Sequence, residues 1–202
     1  MRIGVMVSVL AATLLAGCSL LKRGEEPDRV YILRAEPGSQ GAPAVPGVLL
    51  LLRPVIQPGL DNDRIALLRG DNELNHFAGS RWSEPLPRVL SAFAVESLAG
   101  GGGFTTVVAA DRVVVNSDFE LLLTVRHFEA QYSSGEAPVI QVTFDCVVTA
   151  GAPRKVIGRC DSAVTEPVAS NRMGEIVPAL ERATRKAIAE VRTKAVAAAQ
   201  GR

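Results

Sequence analysis

Between Val139 and Ala150 every second residue is apolar: Ile140, Val142, Phe144, Cys146 and Val148 alternate with Gln141, Thr143, Asp145 and Thr149. A period of two puts neighbouring side chains on opposite faces of an extended backbone, so this stretch is a strand with one face on a core and one toward water. A second run, Lys155 to Thr165, follows across Gly151-Ala152-Pro153-Arg154. Together they read as a half-buried antiparallel hairpin, which needs a layer to cover its apolar face. The end of the chain offers one. From about Gly174 to Gln200, Ile176, Val177, Leu180, Ala183, Ala187, Ile188 and Val191 fall on one stripe at helical spacing. Glu181 and Arg185, and Glu190 and Lys194, stand four apart with the acid first, the favourable order on a helix.

The preceding segments extend the same pattern. Val30-Tyr31-Ile32-Leu33, within Asp28 to Ala35, is β-branched and aromatic and reads as a first strand. Glu36 to Pro46 is a loop rich in Pro, Gly and Ser. The continuous apolar run Val48 to Leu52, bounded by Gly47 and Pro54, suits a central strand buried on both faces. Arg64 to Arg69 and Glu73 to Phe77 flank Gly70-Asp71-Asn72 and form a hairpin. Ser83-Glu84-Pro85 opens a helix carrying Leu86, Val89, Leu90, Phe93, Ala94 and Leu98, which stops at Gly100 to Gly103. Phe104 to Ala109 is a short strand, and Asp118 to Ala130 a long one with Phe119, Leu121, Leu123 and Val125 on one face. The expected architecture is a single α+β domain, a mixed sheet packed by an internal helix and a long C-terminal helix.

The N-terminal residues set where this domain works. Arg2 precedes an apolar run, Ile3 to Leu15, that is too short to span a bilayer permanently, and Leu15-Ala16-Gly17-Cys18 closes it with small residues and a cysteine. This is the pattern of a lipoprotein signal, in which the Cys18 thiol takes a diacylglycerol before cleavage and the new terminus takes an N-acyl chain such as palmitate. The other reading is an ordinary secretory signal with a chance cysteine. The expected organisation is therefore a signal peptide over 1–17, a lipidated cysteine and tether over 18–28, and the α+β domain over 29–202. Two or more acyl chains anchor persistently where one does not. Ser19, in place of an acidic residue after the cysteine, favours sorting to the outer membrane in lipoproteins with this signal.

Loss of Arg2 with the signal leaves 21 basic against 21 acidic side chains. A near-neutral domain has no field to draw it to nucleic acid or to a strongly anionic surface. Nor do the residues mark out an active centre. Gly100 to Gly103 follow a helix instead of opening one and precede no Lys-Ser/Thr pair, so they read as a helix stop and not as a phosphate loop. His76 and His127 have no further ligands at metal spacing. No serine lies in a nucleophile-elbow pattern, and no pair of carboxylates stands out as acid and base. The sequence thus predicts no enzyme, no metal and no cofactor beyond the covalent diacylglycerol and N-acyl lipid on Cys18.

Cys146 and Cys160 stand opposite each other if the hairpin loop centres on Pro153. Directly opposed strand positions bring Cα atoms to about 4.5 Å, at the short end of what a disulfide accepts. A bridge is one reading in an oxidising compartment, and two buried thiols used as small hydrophobes the other.

The chain resembles the ABC-type transport auxiliary lipoproteins, among them the paraquat-inducible protein C lipoproteins that accompany MCE-domain lipid carriers. The resemblance rests on Tyr31-Ile32-Leu33, Arg53-Pro54-Val55, Pro58-Gly59-Leu60-Asp61 and Arg64-Ile65. It continues through Asn72-Glu73-Leu74-Asn75, Trp82-Ser83-Glu84-Pro85-Leu86-Pro87, Phe119-Glu120-Leu121 and Phe128-Glu129. His76-Phe77 departs from an aromatic directly after Asn75, and the cysteine pair lies outside the family pattern. The resemblance implies a periplasmic lipoprotein on the outer membrane that docks an MCE-domain protein of an ABC lipid transporter and assembles as a homo-oligomer. The alternative is a stand-alone envelope lipoprotein whose domain binds lipid. Asp61 and Arg64, in the segment that matches best, are the candidate partner-binding residues, although both also suit a turn. Trp82, the only tryptophan, offers either an exposed anchor for a partner or a core ring.

Overall fold

The computed structural model describes residues 27–36, 45–70, 72–100, 102–112, 114–133, 135 and 137–201. Cys18, Ser19 and the apolar run before them lie outside the described residues, as does most of the tether. The elements are β1 (Arg29–Tyr31), β2 (Val45–Leu51), β3 (Val55–Ile56), β4 (Arg64–Arg69), β5 (Glu73–Trp82) and α1 (Leu86–Gly100). They continue as β6 (Phe104–Ala109), β7 (Phe119–Tyr132), β8 (Val139–Ala150), β9 (Lys155–Pro167) and α2 (Met173–Gln200). This is the α+β domain with an internal and a C-terminal helix.

All nine strands join one mixed sheet with β7 as its spine. On one side β7 pairs antiparallel with β8, and β8 with β9. On its other side three strands lie parallel to it in succession: β2 along Phe119 to Leu121, β3 along Thr124 and Val125, and β4 along Ala130 to Tyr132. The sheet extends from β2 to β6, and from β4 through β5 to β1. The strand expected to be central, β2, therefore stands one place from an edge, and β7 takes the central place. Val48 and Leu50 in β2 are only half-buried, because the helices cover the face that Leu49 and Leu51 present. A continuous apolar run signals burial on both faces, and here one face has no covering layer of helix.

Helix α2 lies across β8 and β9 and contacts α1, which packs on β6. The alternation read in β8 holds, with Ile140, Val142, Phe144, Cys146 and Val148 all buried. In β7 it holds as far as Val125 and then changes parity. A register shift between Val125 and His127 leaves Arg126 exposed, and the buried positions become Phe128 and Ala130. Because side chains alternate strictly, one extra residue re-aims everything beyond it, and it is how one strand serves two parts of the core.

Two helical ion pairs were expected and one forms. Arg185 bonds Glu181 at 3.1 Å. Glu190 instead accepts from the Ser162 hydroxyl at 2.7 Å, and Lys194 reaches Asp161, so both side chains tie α2 to β9 and not to each other. Arg182 and Lys186 do the same, converging on Glu166 at 2.9 and 2.7 Å. Their hydrogen bonds, Lys186 first, hold the Glu166 carboxyl below its usual pKa. Among the described residues no helix is long and apolar enough to cross a membrane.

Candidate partner-facing segment and cysteine pair

The segment between β3 and β4 holds Asp61 and Arg64. It is fixed by its backbone, not by these two side chains. Gly59 takes a positive φ of 95°, the left-handed region that glycine favours, and a Cβ there would meet Leu74 Cδ2 at 2.6 Å. Leu60 plugs into the core beside it. Asn62 closes the turn, donating to the Gly59 carbonyl at 2.9 Å and accepting from the Arg64 N–H at 2.8 Å, as asparagine does in tight turns. The Asn62 and Asp63 carbonyls accept from the N–H groups of Leu86 and Trp82, at 2.9 and 2.7 Å, fastening the turn to the junction of β5 and α1. Asp61 and Arg64 remain exposed, with no side-chain hydrogen bond or ion pair among the described residues. Neither charge is needed to shape the turn.

Trp82 is the correction. The ring is 1% exposed and meets Phe128 edge to face at 6.1 Å, so of its two readings the core one holds and it offers no ring to a partner. The strand read as ending at Phe77 runs on to Trp82, and this extension carries the ring into the core beside Phe128. His76 lies under the same turn. Burial, first, and the Arg64 guanidinium, second, lower its pKa, against the hydrogen bond to the Gly59 backbone, which raises it. His127 faces Glu129, whose oxygen lies 2.7 Å from Nδ1, and Glu129 also accepts from the Phe128 N–H at 2.5 Å. Glu129 is almost wholly buried, yet both its oxygens are bonded. Among the described residues no three His, Cys, Asp or Glu side chains converge as round a metal.

Cys146 and Cys160 face each other across β8 and β9 with Cα atoms 4.9 Å apart and their sulfurs in contact. The route to this pairing differs from a loop centred on Pro153. Ala150 pairs with Lys155 and Thr149 with Val156, a register that would set Cys146 against Arg159. A shift between Val148 and Thr149 inserts Ile157, after which Val148 pairs with Gly158 and Cys146 with Cys160. The same shift turns Arg159 toward solvent and Cys160 toward α2. At Gly158 the helix comes so close that a Cβ would lie 2.6 Å from that of Ala198.

One feature escaped the sequence: a cavity of about 420 Å³ beside the chain that follows β1. It is assembled from three segments far apart in sequence, so no local pattern announces it.

Solved structures share this fold. Protein XCC0632 of Xanthomonas campestris is 21% identical, with a TM-score of 0.77 over 86% of this chain and 98% of that one. A second crystal structure, of an uncharacterized protein, is 14% identical with a TM-score of 0.66, covering 83% of this chain and 98% of its own. Hypothetical protein CT253 of Chlamydia trachomatis is 10% identical with a TM-score of 0.50, over 77% and 99%. At these identities the likeness is one of fold. No curated protein matches the chain. A one-domain α+β architecture is thus the class to which the molecule conforms. Residues 31–192 match the model of the ABC-type transport auxiliary lipoprotein component, and the chain belongs to that family.

Proposed function

We propose that this protein is a non-enzymatic docking component of an ABC lipid transporter, held at the periplasmic face of the outer membrane by lipid on Cys18 and engaging an MCE-domain partner as a homo-oligomer. The observation that carries the reading is family membership over residues 31–192, a span that begins just beyond the tether and takes in nearly the whole domain. Asp61 and Arg64 supply the contact. Both stand exposed on a turn whose backbone is held independently of them, so their charges are available to a partner at no cost to the turn. Complementary charge at an interface guides encounter and rejects wrong partners. Cys146 and Cys160 form a disulfide that locks the β8–β9 hairpin.

Deletion of the protein is expected to leave ATP hydrolysis by the transporter intact while impairing lipid transfer between membranes. Cys18→Ser, which cannot form the thioether, is expected to release the protein from the membrane fraction. Normal lipid transfer on full deletion would contradict the docking role, and firm outer-membrane retention of Cys18→Ser would contradict the anchor. The rival reading, a stand-alone lipid-binding lipoprotein, predicts instead lipid binding without any partner.

A further inference from the structure

Strand β1 lies at one edge of the sheet, paired on one side with β5 and, among the described residues, with no strand on the other. Tyr31 turns its backbone inward: its carbonyl accepts from the Ser83 N–H at 2.9 Å. Backbone groups alternate sides along a strand as side chains alternate faces, so the N–H and C=O of Val30 and Ile32 point out from the sheet edge. Such an edge is a template for another strand, and proteins guard theirs with lysine, proline or a bulge. Residues 28–36 contain neither lysine nor proline. Tyr31, Leu33 and Ala35 pack against the core, which leaves Asp28, Val30, Ile32 and Arg34 on the other face, with Val30 51% and Ile32 47% exposed.

The order of those side chains, acid, apolar, apolar, base, complements itself when reversed. Laid antiparallel so that Tyr31 meets Tyr31, two copies set Asp28 opposite Arg34 at both ends and Val30 opposite Ile32 twice between them. In that register Val30 and Ile32 also exchange backbone hydrogen bonds, because both point those groups outward. A shift of two residues, the smallest that keeps the groups facing, loses the match. In one direction it sets Asp28 against Glu36 and Val30 against Arg34, and in the other Asp28 against Ile32. The charges are available. Arg34 bonds Glu181 at 3.0 Å through its backbone N–H, but its guanidinium has no partner among the described residues. Asp28 stands 4.0 Å from Arg81, which lies closer to Asp63, at 3.4 Å. We infer that β1 is where two copies of this chain meet, joined edge to edge about a two-fold axis through Tyr31. The inference rests on the homo-oligomer reading and gives it a surface and a symmetry, the same patch serving on both copies. Few residues take part, fewer than a stable interface in solution usually buries. The lipid anchor offsets this. Pro27 follows Cys18 by nine residues, which at full extension reach about 30 Å, so anchored copies share one thin layer at high effective concentration.

The full-length lipoprotein in vesicles of phosphatidylethanolamine and phosphatidylglycerol, oxidised with copper phenanthroline, tests it. A chain carrying Val30→Cys together with Ile32→Cys is expected to form cross-linked dimers, since opposed residues bring their Cα atoms to about 5.5 Å, within disulfide reach. Either cysteine alone lies diagonally from its copy, beyond that reach, and should cross-link about tenfold less. Arg34→Glu, which sets two carboxylates face to face, should cut the yield of the doubly substituted dimer about tenfold. Adding Asp28→Lys should restore it, with the Tm unchanged throughout. No dimer from the double variant, or equal yields from single and double, would overturn the inference, as would indifference to Arg34→Glu. Amine-reactive cross-linking of wild type in the same vesicles captures assembly through any surface. Multimers there without the cysteine link would overturn the β1 contact alone, and monomers the homo-oligomer as well.

Discussion

At the scale of single residues, Cys146 and Cys160 show how an inserted residue decides a pairing. Ile157 shifts the register by one, and without it Arg159 would oppose Cys146 on the face that α2 covers. Non-reduced peptide mapping of protein purified from the periplasmic side is expected to recover the two cysteines linked. Closing their loop, with a sequence separation of 14, stabilises by about 3 kcal/mol in the chain-entropy model. Cys146→Ala with Cys160→Ala should therefore lower stability by roughly that amount, and two free thiols in the native protein would refute the bridge. His76 gives a pH dependence with a definite sign. Its folded pKa is depressed, so its contribution is fully present above the unfolded value of about 6.5. That contribution is lost as pH falls through the lower folded value. Between pH 7.5 and 5.5 the urea midpoint should drop further for wild type than for His76→Gln. Glu166, also depressed, loses its contribution only below its ordinary value of 4.5, outside that window. Equal slopes for the two proteins would contradict the account of His76.

At the scale of elements, alternation and helical spacing made β8, the outer half of β9, α1 and α2 legible in the sequence, because each buries a single face and so writes its period into the chain. What the sequence hid was long-range. The parity change at Arg126 looks like ordinary alternation with one misfit, and β3, two residues long, has no pattern of its own. Glu190 and Lys194 have the spacing of a helical pair, but β9 offers each a closer partner, which no local rule detects. Trp82 resisted for a similar reason: its burial depends on β5 running five residues past Phe77, which brings the ring to Phe128. The cavity needs three distant segments, and neither spacing nor composition reports it. The close approach of α2 to β9 at Gly158 is the contact most sensitive to a small change. Gly158→Ala should cost about 1–3 kcal/mol by overpacking against Ala198. Adding Ala198→Gly should recover part of it despite the helix penalty of about 1 kcal/mol. Thermal unfolding of both singles and the double measures this coupling, and strict additivity would show that the helix yields freely there.

At the scale of the whole molecule, one sheet face is covered by two helices while the turn carrying Asp61 and Arg64, the edge strand β1 and the cavity beside it remain on the surface. The domain thus presents Asp61 and Arg64 from a turn held by backbone hydrogen bonds. The claim on which the functional account depends is that Asp61 and Arg64 meet the MCE partner. It is tested most directly by co-purification from detergent-solubilised membranes, comparing wild type with Asp61→Lys and Arg64→Glu. Exposed substitutions outside a structural role alter stability by about 0.5 kcal/mol or less, whereas like charges at an interface cost several. The account predicts that both variants keep the wild-type Tm and membrane anchorage while recovery of the MCE protein falls at least tenfold. Undiminished recovery with both reversals would contradict it.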